Sequence, residues 1–130
     1  MEYLARRAIF FITIIAGFSK VCVSSSVHKV GDAVGWTTIG NFDYRNWAAA
    51  RVFHVHDTIV FQYDPQNHNV MQVSLPDYRS CNTNSPMVIH STGNDSIVIQ
   101  SPGHYYFVCG FPGHCLGGLK LDIRVPKFPN

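Results

Sequence analysis

Short runs of β-branched and aromatic residues, each cut off after four to seven positions by Gly, Pro, Asn or Asp, constrain this chain most. Thr58-Ile59-Val60-Phe61-Gln62-Tyr63 ends at Asp64-Pro65, and Val70-Met71-Gln72-Val73 ends before Pro76. Ile97-Val98-Ile99-Gln100 precedes the turn Ser101-Pro102-Gly103. His104 to Cys109 follows, and the alternating run Leu119 to Val125 comes last. His28-Lys29-Val30 and Phe53-His54-Val55 are shorter strand candidates. Such spacing predicts an all-β domain, an antiparallel sandwich or barrel. One short helix is predicted over Asp43 to Ala50, with Asp43 as its cap. The chain has 130 residues, enough for one domain and hardly more, which excludes a multidomain enzyme and a repeat array.

The first 26 residues read as a secretory signal. Arg6 and Arg7 precede an apolar run of 11 residues, Ala8 to Phe18. A membrane-spanning helix needs roughly 20 such residues, so no anchor is expected from it. Small residues at Ser24-Ser25-Ser26 suit cleavage, placed after Ser26 with Ser24 as the alternative. The domain is then 27–130. No hydrophobic tail follows Val125, where the chain ends Pro126-Lys127-Phe128-Pro129-Asn130, so a soluble, secreted protein without a lipid anchor is expected.

From Val27 onward the chain has seven Lys and Arg against seven Asp. The body is formally neutral, so no nucleic acid is expected and no polyanion partner is indicated. All seven histidines lie in that body. Cys22 leaves with the signal, and Cys81, Cys109 and Cys115 remain. Three cysteines in an oxidising compartment leave one unpaired thiol, which is a liability unless something occupies it.

Cys109-Gly110-Phe111-Pro112-Gly113-His114-Cys115 carries the clearest chemistry. A thiol and an imidazole sit five residues apart across a Gly- and Pro-tightened loop. By alternation Cys109 faces inward with Tyr105 and Phe107. His68 is remote in sequence, but it lies at the end of a strand that can neighbour this one. Two imidazoles and a thiolate form a trigonal set that suits copper. A closed zinc site takes four nitrogen and sulfur ligands and needs another cysteine. Nucleophilic catalysis by Cys109 is a further reading, but no oxyanion motif accompanies it. His54-Val55-His56 reads as a solvated strand face. His56 stands before Asp57 where a turn glycine is usual, so strain is expected there. His28, His90 and His104 show no partner. Asn94-Asp95-Ser96 is an N-glycosylation sequon in a turn.

The motifs His28-Lys29-Val30-Gly31-Asp32, Gly35-Trp36-Thr37, Asn67-His68-Asn69-Val70, Ser80-Cys81-Asn82-Thr83 and the Cys109–Cys115 segment together resemble the phytocyanins. These are plant blue copper proteins, and the likeness runs from His28 to about Val125. It is strongest to the mavicyanin, stellacyanin and uclacyanin branch. The resemblance implies a cupredoxin-like Greek-key β-sandwich of two sheets with one short helix. It implies one copper ion on His68, Cys109 and His114, and a Cys81–Cys115 disulfide. It implies a monomeric extracellular electron carrier of the apoplast or cell wall, not an enzyme, exchanging electrons with a small-molecule or protein redox partner. Leu119 departs from the pattern: this position carries an axial Met or Gln in relatives, and Leu has no lone pair to offer. The alternative is a metal-free, early-nodulin-like recognition domain.

Overall fold

The computed structural model of the chain describes residues 24–128, so most of the signal segment lies outside the described residues. Among the described residues seven strands form two sheets. They are β1 (Val27–Lys29), β2 (Thr58–Gln62), β3 (Val70–Val73), β4 (Val88–His90), β5 (Asn94–Val98), β6 (Gly103–Val108) and β7 (Lys120–Val125). One sheet has the order β1-β2-β5, the other β4-β3-β6-β7. The chain changes sheet between β2 and β3, between β4 and β5, and between β5 and β6. Those crossings make the sandwich of the Greek-key kind expected from the sequence. The pairing is antiparallel except for β1, which runs parallel to β2.

The predicted helix is α1 (Tyr44–Ala49), capped by the Asp43 carboxylate accepting the Asn46 N–H. A second short helix, α2 (Leu75–Ser80), follows β3. Pro76 reads in sequence as a strand stop; in the fold it also sits in the first turn of α2, where its missing N–H costs nothing. Ser74 caps that turn. Three strand assignments change. Phe53-His54-Val55 is irregular, leading into a turn at Val55 and His56. The fifth strand begins at Asn94, three residues ahead of the predicted run. Val88–His90 forms a strand too short and too exposed to announce itself.

The core lies between the sheets. Leu121, Ile123 and Val125 of β7 and Ile59 and Phe61 of β2 face inward, all buried. Trp36 is fully buried and meets Phe61 edge-on at 5.2 Å and Tyr44 at 5.0 Å; Phe61 meets Phe107 at 5.1 Å. Each large side chain removed from water contributes about 1.5–3 kcal/mol before entropy is counted. A smaller cluster of Val73, Val108 and Cys115 fills the outer face of the four-stranded sheet, beneath Tyr78 of α2. Gly31 is obligatory: at φ 76° a Cβ there would stand 2.2 Å from the Gly35 carbonyl oxygen.

His28 is not the unpartnered surface residue expected. It is buried, and its Nε2 meets the Asp57 carboxylate at 2.9 Å. The same carboxylate accepts the N–H groups of Ser26 and His54, both at 2.9 Å. His56 holds φ 77° in the adjoining turn, the positive value anticipated where a glycine is usual. Burial of Asp57 works against its charge, but the Ser26 N–H, His28 and the His54 N–H outweigh this and lower its pKa. A depressed carboxylate pKa contributes stability above the unfolded value of about 3.9, and that stability is lost as pH falls through the folded value. Urea unfolding should therefore show stability declining below about pH 4. Asp57→Asn should cost about 1–3 kcal/mol near neutral pH and flatten that decline; an unaltered acid slope in the variant would contradict this assignment.

Candidate metal centre

The turn between β2 and β3 positions His68. Asp64 organises it: its carbonyl accepts the N–H groups of Asn67 at 3.1 Å and His68 at 3.0 Å, and its carboxylate takes the Gln66 N–H and the Asn67 side-chain amide, both at 2.9 Å. His68 ends 5% exposed at the head of β3. The next residue, Asn69, holds two neighbours. Its carbonyl accepts the Trp36 indole N–H at 2.9 Å, and its Oδ1 accepts the Gly110 N–H at 2.6 Å. The sequence marks Asn69 only as part of a motif; its clamping role needs the third dimension. Gly110 permits that approach, since a Cβ there would stand 2.3 Å from Met71 Cε and 3.1 Å from Asn69 Oδ1.

Cys109 follows β6 and is fully buried. Its N–H donates to the Leu119 carbonyl at 3.0 Å, which extends the β6–β7 pairing by one residue. The loop from Gly110 to Gly118 then folds on itself. The His114 N–H donates to Phe111, Gly117 to Gly113 and Gly118 to Cys115, while the His114 carbonyl accepts from Leu119 at 3.0 Å. Cys115 is bonded to Cys81, the C-cap of α2. That bridge closes a sequence separation of 34 residues, worth about 3–4 kcal/mol in the chain-entropy model. Phe111 lies nearly parallel to the half-buried His114 ring at 5.9 Å.

The fold brings His68, Cys109 and His114 together. The two Nδ1 atoms are 3.2 Å apart, and the Cys109 sulfur is 3.5 Å from His114 Nδ1 and 3.9 Å from His68 Nδ1. A point equidistant from three atoms so spaced lies about 2.1 Å from each, close to the ~2.0–2.3 Å by which imidazole and thiolate hold a first-row metal such as zinc. The donor set therefore fits one ion. Among the described residues no carboxylate, cysteine or further histidine joins these three. Cys81 and Cys115 are spent in the disulfide, so a four-ligand zinc site is not assembled. Cys109 is the free cysteine there.

Burial pushes the Cys109 thiol pKa up. Burial, then the charge of the neighbouring His114, lowers that of His68. The metal-free pocket thus keeps an imidazole ready to ligate and a thiol that must release its proton as a metal enters. The other predicted positions lie apart. Asn94 is exposed at the first residue of β5, opposite Gln62. His54 and His56 sit in the turn before β2, and His104 pairs with Asp122 at 2.9 Å.

A plastocyanin-like domain profile matches residues 36–119. The stellacyanin of Toxicodendron vernicifluum is 40% identical, over 77% of this chain and 96% of that protein. The blue copper protein of Pisum sativum is 42% identical over 78% of this chain, which spans 52% of that longer protein. The solved structure of cucumber stellacyanin with Cu2+ superposes with a TM-score of 0.73 at 33% identity, covering 82% of this chain and all of the other. On sequence, fold and the arrangement of its landmarks, the chain belongs to the phytocyanin family.

Proposed function

We propose that this protein is a secreted single-electron carrier whose His68, Cys109 and His114 hold one copper ion. The convergence of the three donor atoms carries this reading. Copper held there supplies reversible one-electron exchange between Cu(I) and Cu(II), a couple that two imidazoles and a thiolate accommodate. The chain's own residues do the rest. The Asn69–Gly110 hydrogen bond and the disulfide-pinned loop hold the donors in place, so little reorganises as charge changes. The buried sulfur is shielded from water and oxidants. His114 is the more open of the two imidazoles. Exposed Pro112 and Leu116, the latter 81% exposed, flank it and offer an apolar contact for a redox partner.

Leu119 supports a three-coordinate site. It pairs directly across from Cys109 and is 1% exposed, so both side chains point into the same part of the core. Hydrocarbon then stands where relatives in the family pattern place a donor. Without an axial donor Cu(II) is destabilised more than Cu(I), which raises the reduction potential. The carrier reading also includes cleavage after Ser26, delivery to the apoplast, a monomeric state and a glycan on Asn94. The exposure of Asn94 supports the last. Among the described residues no helix is long and apolar enough to cross a membrane.

Adding Cu(II) to the refolded, disulfide-bonded protein should produce an intense thiolate-to-copper band in the visible spectrum. Cys109→Ala should abolish it. A colourless wild type would favour the metal-free recognition domain instead. Voltammetry should give Leu119→Met and Leu119→Gln lower potentials than the parent; unchanged or higher values would contradict the axial assignment.

A further inference from the structure

The charges of the domain balance in number but not in space. Leu121, Ile123 and Val125 of β7 are buried, so alternation turns Lys120, Asp122 and Arg124 outward. α1 packs against this strand. Two open grooves adjoin there. One, of about 360 Å³, has Arg45, Arg51 and Arg124 around Phe53 and Pro126. The other, of about 450 Å³, has Arg45, Arg79 and Lys120 beside the rings of Phe42 and Tyr78. Arg45 belongs to both, so five of the seven basic side chains of the body border these two neighbouring grooves.

The protein answers only part of that charge. Arg51 pairs with Asp32. Among the described residues Arg45, Arg79 and Arg124 make no ion pair. Two acids stand at the rim, Asp122 beside His104 at 2.9 Å and Asp43 capping α1, so with Asp32 three carboxylates face the five cations and an excess of positive charge remains. Lys120 is half-buried, over the Tyr78 ring at 4.2 Å, with its ammonium on the Tyr78 carbonyl at 2.7 Å. Like charges gathered over apolar walls repel one another, and a bound anion recovers that energy.

We propose that these adjoining grooves bind an acidic polysaccharide, a chain of uronate sugars. Guanidinium forks match carboxylates in a planar, paired geometry. A single small anion neutralises one groove and leaves the other; a polymer with a charge on each repeat reaches both. The aromatic and apolar walls offer surfaces for the C–H faces of sugar rings. Recessed grooves between α1, α2 and β7 admit a thin strand, whereas a globular partner needs a broad complementary face. Cys115 and Leu116 border the second groove, so an occupied groove lies beside the loop that carries His114. The proposal shares with the carrier reading only the extracellular setting. None of its residues is a metal donor.

Calorimetric titration of the mature, disulfide-bonded protein with decagalacturonate at low salt tests this. Binding is expected, weakening as salt screens it. Arg45→Ala/Arg124→Ala should lower the affinity about tenfold or more, and Arg45→Lys/Arg124→Lys should lose less. The methyl-esterified oligomer should not bind. Circular dichroism of each variant checks that the fold is intact, and the heat of binding is read whether or not the protein takes up copper. No binding by the parent protein, equal binding of the methyl ester, or an unaffected Ala variant would each overturn the proposal. Equal or tighter binding of oligoglutamate or polyphosphate through the same arginines would overturn it too, assigning the grooves to an acidic protein or a phosphate polymer.

Discussion

The antiparallel pairing of β3 with β6 is the constraint from which the site follows. Its register sets Met71 opposite Val108. Carried two residues further, it sets Val70 against Cys109 and Asn69 against Gly110, where the Asn69 side chain replaces the ladder hydrogen bond. His68 therefore ends beside the thiol, although 41 residues separate them. The β6–β7 register extends the same way and places Leu119 on the other side of Cys109. A slip of one residue in either pairing would turn the thiol to the opposite face of the sheet. Trp36, whose indole N–H holds the Asn69 carbonyl, and Phe107 pack in the buried cluster behind these strands.

His114 is held differently. It lies in a loop, and loops are ordinarily the mobile part of a fold. Here the backbone folds into successive short turns, and Cys115 is bonded to the end of α2. The imidazole is thereby fixed against donors that belong to the sheet. Two unlike devices, strand pairing and a covalent clamp, thus bring two nitrogens and a sulfur within 3.9 Å of one another. The burial that pushes the Cys109 thiol pKa up also keeps competing water away.

Much of this was legible in the sequence because strands and turns declare themselves locally. The runs at Thr58–Gln62 and Lys120–Val125 alternate cleanly, Val70–Val73 is bounded by its turns, and Asp43 announces α1. Other features are not local. Phe53 and Val55 pack on the core without pairing, so an alternating run there is not a strand. Val88–His90 is a strand only because β3 offers its edge. Asp57 draws His28 inward across 29 residues. The two basic grooves escaped a count of seven charges against seven, because arithmetic carries no positions. The glycine-rich loop and its two flanking cysteines were readable; the clamp by Asn69 was not, since a side-chain bond to a distant N–H has no sequence period.

The folded chain presents three donors already in place for one ion. Crystal structures of the metal-free and copper-loaded protein, compared at the donor atoms, test it most directly. The prediction is one copper touching His68 Nδ1, Cys109 Sγ and His114 Nδ1, with those atoms displaced by no more than about 0.5 Å on loading. Copper bound instead at His54 or His56, or a Cys109 sulfur outside bonding distance of the ion, would contradict it.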